Sequence, residues 1–255
     1  MGHEEKQKTK ASTEALQQRI RVLLPRDQHI AVTSEQQGLQ YLKTHRKELG
    51  FLQHFNLHRY DKDVKSLVLD SSLVSIAAQL LNSRKLRLYQ DCVFLKHPGF
   101  SETHWHSDCP LSPLDTSAFV TAWIPLRPIK GKGDSGLKFA QGSHKDISAH
   151  FHARSRSQDF SQRGYPVSSV GRMDLGDVSW HHGWLLHHAP AQPEGSPARL
   201  ALAVSYFVDG ARVIEQQCED DREDRESYDA WFGPGVGRLV PGQIARHALL
   251  PLVSC

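Results

Sequence analysis

The chain has 255 residues, a length suited to one large β-barrel or jelly roll, and its 39% hydrophobic and 23% charged residues are ordinary globular usage. A formal net charge of only +3, with no basic stripe interleaved with aromatics, argues against a nucleic-acid partner. No apolar run is long enough to span a bilayer, and the first twenty residues mix Lys and Glu without an apolar stretch, so neither a membrane span nor a secretory leader is expected.

In chain order, Met1 to Ser12 is polar and charged, Thr13 to Leu24 reads as a short helix stopped by Pro25, and Ser34-Glu-Gln-Gln37 fits a capping box opening a helix that closes near Gly50. Asp63 to Leu69 and Ser71 to Leu81 read as two further helices, the second amphipathic through Leu73, Ile76, Ala77, Leu80 and Leu81. From Leu86 the texture changes. Strand formers fill Leu86 to Lys96 and Ala118 to Pro125, with further strands expected at Gly136 to Ala140, Met173 to Trp180 and Arg199 to Val208, separated by Gly, Pro, Ser and Asp clusters. Asp220 to Glu226 is a charge run expected to lie in solvent. The order predicts one mainly β domain over 1–255: a helical N-terminal buttress at 1–85 and a jelly-roll core, or double-stranded β-helix, at 86–255 with flanking helices. The four cysteines are scattered without a C-x-x-C pair, which predicts a reduced protein without a disulfide framework or thiolate zinc site. The terminal Val253-Ser254-Cys255 is no peroxisomal tripeptide, so the cytoplasm is the expected compartment, with other organelles left open.

Sixteen histidines are the unusual feature of the composition. Two imidazoles and one carboxylate on one face form the facial triad of mononuclear non-haem iron, which leaves three positions free. On a strand, residues i and i+2 share a side, so His-x-Asp presents two ligands together. Chance supplies about two His-x-Asp/Glu pairs in this composition, and the chain has three: His3/Glu5, His106/Asp108 and His144/Asp146. The first lies in the polar terminus. His144/Asp146 follows a Gly142-Ser143 turn, whereas His106/Asp108 follows a strand and Trp105, and context favours it. His104 would share the face of His106 if that strand is regular, and reads as a supporting or surface histidine. A third ligand must come from elsewhere, and GDVSWHHGWLLHHAP offers His181, His182, His187 and His188; spacing alone does not choose among them. Arg199 opens an apolar strand, where a guanidinium can clamp a carboxylate in a two-pronged pair.

The stretches YQDCVFLKHPGF, THWHSD, TAWIPL, SGLKFAQGSHK, GDVSWHHGWLLHHAP with Arg199, and PGQIARHALLPLV resemble, in order, the phytanoyl-CoA dioxygenase family of Fe(II)/2-oxoglutarate oxygenases. The resemblance runs from about Leu86 onward and is weaker before it, where the family's short opening strand is hard to place. It implies His106, Asp108 and His187 as the catalytic iron ligands, and Arg199, Trp123, Cys92 and Gln90 as residues binding the 2-oxoglutarate cosubstrate. It also implies that His144 and Asp146 are structural. One departure stands out: the family usually has serine two residues after the distal histidine, and here Ala189 implies weaker cosubstrate binding or a substitute such as His188. The activity implied is Fe(II)-, O2- and 2-oxoglutarate-dependent hydroxylation of a small molecule, with release of succinate and CO2. The carboxylate at Asp108 points to hydroxylation rather than halogenation, which would need a small residue there to admit halide. The alternatives are a non-catalytic jelly-roll binding protein and a zinc or manganese hydrolase or isomerase. The substrate's loops are expected around Ser101 to Thr103, Cys109 to Thr116 and Ala149 to Tyr165; the last is basic and aromatic, which would suit an anionic substrate or a lid.

Overall fold

The computed structural model describes residues 6, 51–131, 133–146, 163–215 and 225–254. The helices expected at Thr13 to Leu24 and after Ser34, and most of the Ala149 to Tyr165 and Asp220 to Glu226 segments, lie outside the described residues. The first strand, β1 (Leu52–Phe55), is the opening strand that sequence patterning could not place. A 3-10 turn at Leu57–Arg59 leads to helices α1 (Lys62–Val68) and α2 (Ser71–Leu80). Each helix is opened by an aspartate. Asp61 accepts from the backbone N–H groups of Asp63 and Val64, and Asp70 from that of Ser72. Such caps each stabilise a helix by about 1 kcal/mol.

The β core is two antiparallel sheets. The larger has the order β1-β2-β9-β4-β7, formed by β2 (Lys85–Lys96), β9 (Arg199–Val208), β4 (Phe119–Pro125) and β7 (Ser179–His182), with β10 (Leu252–Ser254) also pairing with β2. The smaller has the order β3-β8-β5-β6, from β3 (Thr103–His106), β8 (His187–Ala189), β5 (Lys138–Ala140) and β6 (Val167–Ser169). A short helix α3 (Arg225–Tyr228) follows β9. This is the mainly β jelly roll that the strand order predicts. One predicted strand is corrected. Met173 makes only an isolated bridge to Ile129, a turn with Gly176 at φ 89° intervenes, and the strand begins at Ser179. The apolar run there is interrupted because Asp174 and Asp177 close the turn on themselves, the Asp174 N–H donating to the Asp177 carboxylate at 2.7 Å.

The larger sheet is covered on both faces, which is why β4 and β9 read as nearly continuous apolar runs. Val120, Ala122 and Ile124 on β4 and Leu200, Leu202, Val204 and Tyr206 on β9 pack with the apolar side chains of α1 and α2. The Tyr206 hydroxyl also donates to the Val68 carbonyl at 2.6 Å. Asp91, fully buried on the same face of β2, accepts from the Leu57 N–H at 2.9 Å and from the His58 ring, tying the 3-10 turn to the sheet. The alternate residues face inward. At one end Trp123, Ala189 and Ala201 form an apolar cluster shared by both sheets, and at the other Tyr89, Phe119, Phe207 and Trp231 form an aromatic one. Between them the register sets Gln90, Ser205, Thr121 and His181 side by side on β2, β9, β4 and β7. That polar row underlies the site. Among the described residues no helix is long and apolar enough to cross a membrane.

Candidate metal centre

His106 ends β3, Asp108 begins the 3-10 turn Cys109–Leu111, and His187 begins β8. β3 and β8 are antiparallel partners with His106 opposite His187, so their rings lie 4.2 Å apart between centroids. The two histidines and Asp108 each offer one ligand atom, and these atoms lie within 4.8 Å of one another. Asp108 Oδ1 is 4.0 Å from His106 Nε2 and 3.6 Å from His187 Nε2. The i, i+2 strand argument needs a correction. Asp108 lies beyond the strand with helical backbone angles (φ −78°, ψ −35°), and it is the turn that brings its carboxylate back to the rings.

The regular-strand expectation for His104 also fails. The register shifts between Thr103 and His106, and a bulge with one extra residue lets both of them pair with inward-facing partners on β8. His104 is left exposed, 3.8 Å from the Glu102 carboxylate, and its carbonyl accepts from His106 Nδ1 at 2.8 Å. His187 Nδ1 donates in the same way to the Leu185 carbonyl at 2.9 Å. Each imidazole therefore carries its proton on Nδ1 and turns the Nε2 lone pair toward Asp108, the tautomer a metal requires. Burial, and then the neighbouring rings of His106 and His181, push His187 well below the ordinary histidine range, so it is neutral at neutral pH. Burial alone would raise the Asp108 carboxyl, but His187, His181 and His106 outweigh it and hold Asp108 well below the usual carboxylate range. One carboxylate and two imidazoles suit a divalent first-row metal.

The other residues singled out divide cleanly. His144 and Asp146 belong to the 3-10 turn Ser143–Lys145 and its exit, where Asp146 accepts from Tyr165 and lies 3.6 Å from Arg163. Ser143 Oγ accepts from the Leu186 N–H at 2.9 Å, so this turn braces the approach to His187. His182 takes the Trp184 N–H at 3.1 Å and stacks near His144, while His188 stacks on Trp105 with centroids 4.2 Å apart. His188 alternates with the buried His187 and Ala189, so it faces away from the interior and is no substitute for a serine at position 189. Arg199 is buried on the inward face, over the Trp123 ring at 5.6 Å, and Nη1 donates to the Ser135 carbonyl at 3.0 Å. Its Nε has no partner among the described residues. Burial lowers its pKa to about 10, which leaves it charged at neutral pH. A buried guanidinium with a spare donor fits a carboxylate ligand. Cys92 lies in register with Ala203 and Trp123, and Gln90 with Ser205 and Thr121, so all four expected cosubstrate residues share the inward face.

Two residues with direct contacts here were not assigned from sequence. Thr121 Oγ1 donates to Asp108 Oδ2 at 2.6 Å, and His181 Nε2 lies 3.2 Å from the same oxygen. Thr121 stands two residues before Trp123 on β4, so strand alternation already placed both on one face. His181 stood among the contenders for the third ligand.

A family model described as phytanoyl-CoA dioxygenase (PhyH) matches residues 3–195. The match reaches further toward the N-terminus than the legible motifs and stops short of Arg199. No curated protein matches the chain in sequence. Among solved structures, the non-haem α-ketoglutarate-dependent carbocyclase SnoK from nogalamycin biosynthesis is 24% identical with a TM-score of 0.64, over 85% of this chain and 84% of its own. The epimerase SnoN, in complex with Fe3+, α-ketoglutarate and nogalamycin RO, is 20% identical with a TM-score of 0.65, over 84% and 85%. EctD from S. alaskensis, with 2-oxoglutarate and 5-hydroxyectoine, is 15% identical with a TM-score of 0.59, over 80% and 70%. These likenesses establish a shared fold.

Proposed function

The chain belongs to the phytanoyl-CoA dioxygenase family of Fe(II)/2-oxoglutarate-dependent oxygenases, and from that premise we propose that it hydroxylates a small molecule at an iron held by His106, Asp108 and His187. The observation that carries the reading is the convergence of His106 Nε2, His187 Nε2 and Asp108 Oδ1, with both rings locked by backbone carbonyls. When bound, iron and 2-oxoglutarate supply the oxidising power that removes a hydrogen from the substrate and delivers oxygen, with succinate and CO2 as co-products.

The side chains have separable tasks. His106, Asp108 and His187 would together hold the metal and leave the rest of its coordination sphere to cosubstrate and O2. Arg199 pairs with the far carboxylate of 2-oxoglutarate, with the Trp123 ring packed against its guanidinium. Cys92 and Gln90 line the wall beside them on β2. His187 is buried and His106 partly exposed, so the site opens on the His106 side, toward the loops after β3 where a small substrate would enter. An anionic substrate is favoured by the basic segment 149–165. The buried free thiols of Cys92 and Cys109 accord with a reducing compartment, the cytoplasm.

Members of this fold include a carbocyclase and an epimerase, so the fate of the substrate separates the options. A metabolite panel incubated with Fe(II)-loaded protein and scored by succinate release would find the substrate; product mass would then read the outcome. Hydroxylation adds one oxygen atom, ring closure removes two hydrogens, and epimerisation leaves the mass unchanged. A product without added oxygen would overturn the hydroxylase reading.

A further inference from the structure

Asp108 presents Oδ1 to the two imidazoles, and its other oxygen, Oδ2, is not free. Thr121 Oγ1 reaches it at 2.6 Å and His181 Nε2 at 3.2 Å. Thr121 is in turn 3.0 Å from Ser205 Oγ, its neighbour in register on β9. With Thr121 donating to the carboxylate, the Ser205 hydroxyl donates to Thr121, and the chain of hydrogen bonds runs in one direction toward Asp108.

We propose that His181 is a positioning residue that acts through Asp108: its Nε2–H, with the Thr121 hydroxyl, holds Oδ2 and keeps the carboxylate a one-oxygen ligand of the iron. This rests on the metal-site reading above. Three observations separate it from the plain alternative of a histidine packed in a core. First, His181 is 4% exposed, and a buried imidazole kept for packing alone would be expected to have both nitrogens satisfied. Among the described residues Nδ1 has no partner, and Asp108 Oδ2 is the one hydrogen-bond partner of the ring. Second, a carboxylate accepts and cannot donate, so the proton must sit on Nε2 and the tautomer is set by Asp108. Third, the register is built for it. His181 pairs with Thr121 across β4 and β7, so two donors from adjacent strands arrive at one oxygen.

The consequence is geometric. A carboxylate with an unsecured outer oxygen can swing to bind metal with both oxygens and occupy a position needed by 2-oxoglutarate or O2. Two hydrogen bonds on Oδ2 oppose that rotation and lower the charge that Oδ1 shares with the metal. His181 lies beside His187, ring centroids 4.4 Å apart, yet stands outside the group of ligand atoms that converge.

The test is anaerobic titration of the full chain with Co(II), followed by its visible d–d absorption, on the wild type, His181→Phe, His181→Leu and His181→Gln. Phe and Leu remove the donor at two sizes, so one serves if the other fails to fold; Gln keeps an N–H at the position of Nε2. The Phe and Leu variants should bind Co(II) about 10–100-fold more weakly, the usual effect of losing a hydrogen-bonding partner behind a metal ligand, with an altered band shape. Gln should restore both affinity and spectrum. Unchanged affinity and spectrum in Phe and Leu would overturn the proposal. So would equal loss in all three variants, which would mark His181 as a packing residue. A wild-type chain that binds no Co(II) would instead overturn the metal-site reading, and this inference with it.

Discussion

Lys96 and Arg199 stand opposite each other on the β2–β9 ladder, both buried on the face that looks into the barrel. Lys96 Nζ donates to the carbonyls of Ser101 and Pro190, so it ties the segment before β3 and the end of β8 to the larger sheet. Burial first, and then the Arg199 charge, lower its pKa to about 7, with Glu102 acting weakly the other way.

That shift has a sign. Between about pH 7 and the ordinary lysine value of 10.5, the unfolded chain holds a proton on Lys96 that the folded chain has lost, so this group's contribution to stability falls as pH falls through that window. The metal-free protein should therefore resist urea better at about pH 9 than at pH 7.5. Lys96→Met should flatten the difference; a variant keeping the full wild-type slope would contradict the assignment.

Arg199 is expected to bind the far carboxylate of 2-oxoglutarate through a planar fork that a lysine cannot copy. Arg199→Lys should raise the 2-oxoglutarate dissociation constant by about tenfold or more, since a charge-assisted hydrogen bond is worth about 1.5–3 kcal/mol. Metal affinity should stay close to that of wild type. Calorimetry on the Co(II)-loaded protein separates the two. Equal 2-oxoglutarate affinity in the variant would sink the role given to Arg199.

Ala189 faces inward, opposite Thr103, in the cluster that holds Trp123. Ala189→Ser would place a hydroxyl there. In the ligand-free chain that hydroxyl enters an apolar cluster and is expected to cost about 1–3 kcal/mol of stability. With 2-oxoglutarate bound it gains a carboxylate partner, so the cosubstrate should raise the melting temperature more in this variant than in the wild type. A smaller rise would place the carboxylate elsewhere.

Gly183 lies where β7 leaves the sheet, and its carbonyl accepts from the Cys109 N–H at 2.9 Å. A Cβ on it would meet Cys109 Sγ at 2.4 Å and Phe119 Cδ1 at 2.8 Å, so the turn bearing Asp108 and Cys109 would have to move. Gly183→Ala should lower stability by about 1–3 kcal/mol, the usual cost of overpacking, and weaken metal binding together with it. A thermal melt paired with Co(II) titration would check both; an unchanged melt would mean the turn yields freely.

Much of this was legible in the residues because β4 and β9 carry strong strand patterns, and strand alternation alone sets Trp123 and Arg199 on inward faces. The boundaries of α2 and β9 came out within a residue. Asp108 is different. Its place beside His106 looks like strand periodicity, yet it depends on the register shift between Thr103 and His106, set by pairing with β8, and on a 3-10 turn held by the Cys109 N–H donating to the Gly183 carbonyl. The choice of His187 among four histidines rested on family resemblance. The structure separates them by alternation and by the turn between β7 and β8, which spacing does not reveal. His181 went unassigned because its partner is 73 residues away in sequence. His188 neighbours the missing serine's position in sequence, but the pleat of β8 turns it outward.

The most direct test of the iron site is to add 2-oxoglutarate anaerobically to Fe(II)-loaded protein and follow the visible charge-transfer absorption of the chelate. Wild type should develop the band at one iron per chain, and His187→Ala and Asp108→Ala should lose it while remaining folded. A band of full intensity in either variant would contradict the account, because the iron would then be held somewhere other than between these three side chains.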